Sequence, residues 1–391
     1  MLEPLGIYIS VPFCKAKCTF CNFASGAFGL ERMDGYVDSL VAEIETARAR
    51  AEGLGTELPN AADSIYFGGG TPSLLNPRQL QMIFSALRGQ FDVRPGAEIT
   101  LECAPGQMGG ATLTEALGQG VNRVSFGVQS FVDAESAAVG RLHTAEQCLA
   151  EIARVRAAGI DEISLDLIAG LPRQTADSWE TSLDAVIESG VPHASVYMLE
   201  VDEESHLGKE LIAGGPRYQA TAVPSDEAMT EFYERACDRF QVAGLEQYEI
   251  SNFARRGHES RHNLKYWSRA PYLGFGVDAH SMLRRGVESV RFANADSLEA
   301  YAAGMKHDIT VVDEDAAFEE TLFLGLRRNE GVDLYVLQAM FGKARVEGLS
   351  DALQDLEDGG LLRCEGKRLM LTGRGRIVSN DVFGELLRAI A

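Results

Sequence analysis

The chain has 391 residues, of which 46% are hydrophobic, and this length and composition predict two or three folded domains rather than a disordered chain. The formal net charge of −21 argues against a nucleic-acid-binding protein, because an acidic surface repels phosphates and we find no basic stripe in the sequence. We find neither an apolar stretch of the roughly 18 residues that a membrane helix needs nor a signal peptide, which predicts a cytoplasmic protein without an integral membrane segment.

Short β-rich runs alternate with helix-length segments through the first half of the chain. Strands are predicted at residues 6–11, 64–67, 98–102, 123–127, 162–168 and 194–199. Helices, with apolar residues spaced three or four apart, are predicted at residues 36–49, 78–87, 145–157 and 177–187. Six βα units in series predict an α/β fold with a parallel sheet, curled into a partial (β/α)6 barrel.

Chemically distinctive residues stand at the ends of these predicted strands. Three cysteines follow the first strand, and Gly68-Gly69-Gly70 follows the second. Glu102 ends the third strand, Gln129 follows the fourth, and Asp166 lies within the fifth. In barrels of this kind the chemistry gathers at the C-terminal ends of the strands, so we expect these residues to meet at one rim.

The second half of the chain is predicted to begin with a Gly- and Pro-rich linker at residues 212–224. A helix at 226–243 and a short strand around 247–250 follow, and a polar loop then leads to His262-Asn-Leu-Lys-Tyr-Trp267. From about residue 311, helices precede two short strands at 361–364 and 368–372, which is typical of a winged helix. We therefore predict a barrel at 1–215, a connecting α/β region at 216–310 and a smaller C-terminal α+β winged-helix-like domain at 311–391.

The strongest chemical signal is the CxxxCxxC spacing of Cys14, Cys18 and Cys21. An odd total of seven cysteines, three of them within eight residues, indicates a metal site rather than a disulfide framework. Three thiolates on one loop can hold three irons of a cubane and leave the fourth iron open to a ligand. The alternative is a zinc site, but the other cysteines stand singly and offer no second pair to complete one; they are Cys103, Cys148, Cys237 and Cys364.

A second signal is Tyr66-Phe67-Gly68-Gly69-Gly70-Thr71-Pro72, because glycines at a strand end let the backbone approach a ligand closely. A glycine run alone is as often a plain turn, but here it follows the cysteines by one βα unit. Glu102, Gln129, Arg141 and Asp166 are further candidate ligand contacts. Polar side chains inside a barrel cost desolvation unless a polar ligand pairs with them, and S-adenosylmethionine offers suitable groups.

These motifs together resemble the radical S-adenosylmethionine (radical SAM) superfamily. Segments such as Gly127-Val-Gln129-Ser-Phe, Arg141-Leu-His143 and Asp166-Leu-Ile-Ala-Gly-Leu-Pro172 are similar to its coproporphyrinogen oxidase branch. The resemblance implies that Cys14, Cys18 and Cys21 ligate a 4Fe–4S cluster. It also implies that S-adenosylmethionine is contacted by Tyr8, Phe20, Gly69, Gly70, Thr71, Glu102, Gln129, Arg141 and Asp166.

Within this branch the sequence resembles the HemW family of heme chaperones more than the true oxidases. The oxidases carry a further cysteine where this chain has Phe23, and they have a longer segment before the first strand. The motif His262-Asn-x-x-Tyr266-Trp267 is the hallmark of the HemW family, although Asn22 and Cys103 depart from residues that are commoner there. The resemblance implies a protein that binds heme and passes it to client apoproteins.

The same motif suggests a heme ligand. A histidine beside aromatic residues is more often packed or hydrogen-bonded than a metal ligand, but imidazole can ligate heme iron and aromatic rings can stack on a porphyrin. We therefore predict His262 as the axial ligand, with His258 and His280 as weaker candidates.

Two other functions stay open at this point. One is an oxygen-independent coproporphyrinogen III oxidase, a radical SAM oxidative decarboxylase. The other is a radical methyltransferase acting on RNA, which the acidic composition disfavours. The client protein, the oligomeric state and whether the protein cleaves S-adenosylmethionine as an enzyme are not determined by the sequence.

Overall fold

The computed structural model of the protein describes residues 2–286, 288–304 and 309–390. Within these residues the first half forms a partial barrel of six parallel strands, which pair in chain order. The strands are β1 Leu5–Val11, β2 Ala61–Gly69, β3 Asp92–Cys103, β4 Arg123–Gln129, β5 Glu162–Ala169 and β6 His193–Met198. Each overlaps its predicted strand, and the predicted α/β fold is confirmed.

Helices connect successive strands and pack against the outside of the barrel. They are α1 Met33–Glu45, α2 Ala47–Gly53, α3 Pro77–Gln90, α4 Gly110–Gly118, α5 Asp133–Ala138, α6 Ala145–Ala157 and α7 Ala176–Ser189. Capping boxes led by Asn76, Thr144 and Thr175 fix the starts of α3, α6 and α7. The sequence pattern does not predict α4 and α5, because they have nine and six residues and show too few helical periods.

The barrel strands alternate apolar and polar residues. In β5, Ile163 and Leu165 are buried in the hydrophobic core, whereas Ser164 and Asp166 lie on the opposite face. Parallel strands with apolar packing on both faces usually show continuous hydrophobic runs. The alternation therefore gives this barrel an apolar outer face under the helices and a polar interior.

The middle of the chain adds strands to both edges of the barrel sheet. They are β7 Glu246–Gln247, β8 Asn252–Ala254, β9 Tyr272–Phe275, β10 His280–Arg285, β11 Glu288–Ala293 and β12 Ile309–Val312. Over the described residues the strand order is β12-β11-β10-β9-β1-β2-β3-β4-β5-β6-β8-β7. The single strand predicted around residues 247–250 is instead the pair β7 and β8, which are antiparallel and separated by a bend.

In the described part of this region four α-helices accompany these strands, and one of them was predicted, at 226–243. They are α8 His206–Ile212, α9 Asp226–Val242, α10 Arg261–Trp267 and α11 Leu298–Ala302. Short 3-10 helices lie at Leu30–Arg32, Pro72–Leu74 and Arg217–Ala222. None of the helices among the described residues is long and apolar enough to cross a membrane.

The C-terminal part has a hydrophobic core of its own and a small antiparallel sheet. Its elements are α12 Glu314–Leu326, β13 Val332–Asp333, α13 Leu334–Phe341, α14 Lys343–Glu347, α15 Ser350–Asp358, β14 Leu362–Glu365, β15 Arg368–Leu371, α16 Gly373–Ile377 and α17 Ser379–Ile390. The sheet order is β13-β15-β14, and β14 and β15 form the predicted wing.

Candidate functional site

The loop that carries the three cysteines leaves the end of β1 and folds against the end of β2. The Cys14 N–H donates to the Gly26 carbonyl at 2.9 Å, and the Gly26 N–H donates to the Pro12 carbonyl at 2.9 Å, which closes the loop. The Thr71 N–H donates to the Phe13 carbonyl at 2.8 Å. The structure thus places the cysteines directly beside the Gly-Gly-Gly-Thr segment, as the order of the βα units predicts.

The three thiols lie close enough to interact electrostatically. Burial raises the pKa of the Cys14 thiol, hydrogen bonds to Thr71 and Ser25 oppose that rise, and Cys21 and Cys18 add to it. In the described part of the chain, no group of three His, Cys, Asp or Glu side chains is placed to hold a single metal ion. A cubane takes each thiolate on a different iron, so it does not require the thiols to converge on one point.

The glycine run is shaped by the backbones around it. Gly69 has a φ of +95°, which favours glycine, and a Cβ there would lie 2.9 Å from Ser10 Oγ and 3.5 Å from Tyr8 Oη. A Cβ on Gly70 would lie 2.6 Å from the Val11 carbonyl oxygen and 2.9 Å from the Phe13 carbonyl oxygen. Gly70 is therefore required for the close approach of the cysteine loop to β2, whether or not a ligand is bound.

Two carboxyl groups line the same end of the barrel. The Tyr66 hydroxyl donates to Glu102 Oε1 at 2.8 Å, and the Ser125 hydroxyl lies 3.3 Å from Asp166 Oδ2. Burial raises the pKa of Glu102 to about 7, against the hydrogen bond from Tyr66. Burial likewise raises the pKa of Asp166 to about 6, against hydrogen bonds from Ser195 and Ser125. A cationic ligand would favour the ionised forms, and S-adenosylmethionine has a sulfonium and an ammonium group.

Arg141 joins the cysteine loop to the end of β4. Its Nη1 donates to Cys18 Sγ at 3.5 Å, and its Nη2 donates to the Gly127 carbonyl oxygen. Its Nε is buried without a hydrogen-bond partner in the described structure. Gln129 nearby has a φ of +70°, an uncommon backbone conformation for a residue other than glycine. An unsatisfied donor and a strained backbone at one rim are features that a polar ligand would explain.

Most of the residues predicted to contact S-adenosylmethionine lie at this rim. Tyr8 stacks on Tyr66 with ring centroids 6.1 Å apart, and Thr71 lies beside Cys14. Phe20 instead packs against a small apolar cluster that contains Val139 and Ile168. The structure therefore brings together the candidates from β1 to β5 with the cysteine loop, and it places Phe20 at the edge of this group.

His262 lies inside the barrel at the opposite, N-terminal end of the strands. It is on α10 and is only 1% exposed. Its Nδ1 is 3.0 Å from Ser64 Oγ, its Nε2 is 2.9 Å from Tyr266 Oη, and its ring stacks on Tyr66. Burial, followed by the charge of Lys265, lowers the pKa of His262 to about 3. In this arrangement each ring nitrogen already has a hydrogen-bond partner, so the predicted ligand role would require the contact at the iron-binding nitrogen to break.

The two weaker histidine candidates lie in different surroundings. His258 Nδ1 is 2.7 Å from Glu162 Oε1, at the start of β5. His280 is the first residue of β10, and its side chain is 69% exposed. Its Nε2 is 3.9 Å from Asp278 Oδ1. Of the three histidines considered, His280 is thus the one whose imidazole is most accessible to a ligand from solvent.

A buried carboxylate that was not predicted from the sequence holds α10, the motif helix of residues Arg261–Trp267, in the barrel. Glu98 Oε1 accepts the His262 N–H at 3.0 Å, and Glu98 Oε2 accepts the Arg261 N–H at 3.1 Å, so this side chain caps α10. Arg123 lies 3.7 Å from the same carboxylate. The sequence shows polar residues at alternating positions of β3 and β4, which indicates a polar barrel interior. It does not indicate which helix these side chains contact.

On its other side the motif helix contacts the C-terminal domain. The Arg327 guanidinium lies 4.5 Å from the centroid of the Trp267 ring, which is a cation–π contact. Just beyond the helix, Arg269 Nε donates to Glu320 Oε2 on α12 at 2.8 Å. The motif helix is therefore held between the barrel interior and α12.

Comparison with known proteins agrees with this architecture. The family model of the radical SAM superfamily matches residues 8–186, and that of the HemN C-terminal domain matches residues 312–378. The protein named heme chaperone HemW of Bacillus subtilis is 32% identical over 391 residues, which cover 97% of this chain and 98% of that protein. The protein of the same name from Lactococcus lactis is 30% identical over 389 residues, with 98% of each chain covered.

A solved structure shares the fold over almost the whole chain. It is the coproporphyrinogen III oxidase HemN of Escherichia coli, described as a radical SAM enzyme. The TM-score is 0.82 at 23% sequence identity, with 98% of this chain and 90% of that chain covered. The likeness therefore includes the strands added to the barrel edge and the C-terminal domain as well as the barrel.

Proposed function

Because this chain belongs to the HemW family of radical SAM proteins, we propose that it is a heme chaperone, which binds heme and passes it to client apoproteins. The observation that carries the proposal is the extent of the similarity. The relatives named heme chaperone align over 97–98% of this chain at 30–32% identity. The alignment therefore includes the motif helix and the C-terminal domain, which a match to the barrel alone would not cover.

We further propose that Cys14, Cys18 and Cys21 hold a 4Fe–4S cluster next to bound S-adenosylmethionine. When bound, this pair supplies one-electron chemistry at the sulfonium. The protein would contribute position and charge. Glu102 and Asp166 are the buried carboxyl groups that would pair with the cationic groups of the ligand, and Arg141 holds the cysteine loop against the end of β4. Because all seven cysteines are free thiols, a reducing compartment such as the cytoplasm suits the protein.

The alternative function is oxidation of coproporphyrinogen III. The shared fold does not separate it from the chaperone function, because the HemN structure is 23% identical and shows the architecture only. The sequence difference at Phe23, where the oxidases have a further cysteine, favours the chaperone.

One experiment separates the two functions. The protein is reconstituted with its cluster under anaerobic conditions and incubated with heme or, separately, with coproporphyrinogen III and S-adenosylmethionine. A chaperone retains heme through gel filtration and then transfers it to an added apo-heme protein, whereas an oxidase consumes the porphyrinogen and releases carbon dioxide. The Cys18→Ala protein controls for chemistry that needs the cluster. A parent protein that decarboxylates the porphyrinogen and fails to retain heme would refute the chaperone proposal.

A further inference from the structure

A cavity of about 270 Å³ opens beside the glycine run, along one face of the paired strands β1 and β9. Its inner wall contains Tyr8 and Gly69 from the barrel, Tyr266 from the motif helix and Tyr272 from β9. His280 lies at its outer edge. The cavity thus adjoins the rim described above, but aromatic rings rather than carboxylates dominate its walls.

The geometry of these rings suits a flat conjugated ligand. Tyr266 and Tyr272 meet edge to face with centroids 4.7 Å apart, which fixes both ring planes. Behind them, the hydrogen bond between Tyr266 Oη and His262 Nε2 holds Tyr266 in place. The cavity therefore has preorganised aromatic walls, so a ligand would order few side chains on binding.

The outer edge of the cavity is accessible from solvent and carries a possible iron ligand. Phe23 lines this edge and is 63% exposed, so its ring is available to a ligand that enters the cavity. The imidazole of His280 is 69% exposed and lies 3.9 Å from the Asp278 carboxylate. This separation is longer than a hydrogen bond, so the carboxylate adds negative charge beside the imidazole without fixing the orientation of the ring.

We propose that this cavity is the heme site and that His280, rather than His262, is the axial ligand of the heme iron. The inference rests on the proposed heme-chaperone function and specifies its site. One edge of the macrocycle would enter the cavity and lie against the Tyr266–Tyr272 pair. Phe23 would cover part of the porphyrin, and His280 would bind the iron from the open side. The cavity is too small to enclose a whole heme, so the rest of the ligand stays at the surface, where a client can take it.

This assignment gives the motif histidine a different task. His262 is a positioning residue, because its Nε2 bonds to Tyr266 Oη while its Nδ1 contacts Ser64 inside the barrel. In this assignment Tyr266 of the motif forms part of the cavity wall, and its hydrogen bond with His262 fixes the position of the Tyr266 ring.

The test compares the reconstituted full-length parent with three variants by heme titration and by the position of the Soret band. His280→Ala should weaken heme binding at least tenfold and shift the Soret band, because an iron ligand is lost. Phe23→Ser should weaken binding severalfold without moving the band, because the ligand remains. His206→Ala is the matched control: His206 is also exposed and stacks on a tyrosine, Tyr218, but it does not line the cavity, so it should match the parent.

Cluster absorption and far-UV circular dichroism should be unchanged in all three variants, which separates a lost ligand from a damaged fold. If the parent binds heme and His280→Ala binds it with the same affinity and Soret band, the site proposed here is wrong while the chaperone function stands. If the parent binds no heme, the chaperone function itself fails, and this site fails with it.

Discussion

Replacing Gly70 with alanine should detach the cysteine loop from the barrel. The Cβ would lie 2.6 Å from the Val11 carbonyl oxygen and 2.9 Å from the Phe13 carbonyl oxygen. Both are backbone atoms, so no side-chain rotation can relieve the contact. The loop that begins at Phe13 and carries the cysteines would have to move away from β2.

The expected loss of stability follows from the contacts that this movement breaks. The Gly70 N–H donates to the Val11 carbonyl at 2.9 Å, and the Thr71 N–H donates to the Phe13 carbonyl at 2.8 Å. Each hydrogen bond contributes about 1 kcal/mol net. Overpacking of a tight site costs about 1–3 kcal/mol more. We therefore expect the free energy of unfolding to fall by about 3–5 kcal/mol, a large share of the total stability of an ordinary domain.

Urea unfolding followed by circular dichroism measures this loss, and the visible absorption of the reconstituted cluster measures whether the loop still binds iron. Gly89→Ala is the matched control, because Gly89 is in α3 and a Cβ there meets no described atom within 4 Å. That variant should be as stable as the parent or more stable by up to about 1 kcal/mol. If Gly70→Ala equals Gly89→Ala in stability and cluster content, the backbone reasoning is refuted.

Three further predictions concern the cluster, the rim and the C-terminal domain. Alanine in place of Cys14, Cys18 or Cys21 should abolish the visible absorption of the cluster, and a full cluster in Cys18→Ala would contradict the assignment. Because burial raises the pKa of Glu102 from 4.5 to about 7, the folded protein binds this proton more tightly than the unfolded chain, and stability falls as the pH rises between these values. Glu102→Gln should therefore stabilise the cofactor-free protein at about pH 8 by on the order of 2 kcal/mol, while weakening S-adenosylmethionine binding. Urea titrations of parent and variant at about pH 5 and pH 8 measure this effect. The same pH dependence of the free energy of unfolding in both proteins would contradict it. The C-terminal domain, with 15 acidic and 10 basic residues from position 311 onward, should give the full chain no affinity for duplex DNA, and salt-sensitive retention on a DNA column would show otherwise.

The sequence by itself determined the features that follow from local pattern and chain order. Alternating βα units predicted the parallel barrel, because each strand and helix shows its own periodicity within a few residues. The same order placed Cys14, Gly70, Glu102 and Asp166 at one rim, because parallel strands end on the same side. The wing at β14 and β15 was also predicted, since a hairpin joins neighbours in the chain.

Only the tertiary structure decided where the motif helix goes and what surrounds it. The pairing of β9 with β1 joins Gly6 to Tyr272, and the hydrogen bond between Ser64 and His262 joins residues 198 positions apart. Contacts between residues that are distant in the chain leave no periodic pattern in the sequence. The residues around Ser64 or His262 could be the same whichever distant residue each one contacts. For this reason the sequence indicated His262 as a heme ligand, whereas the fold buries its ring between Ser64 and Tyr266 and leaves His280 open to solvent.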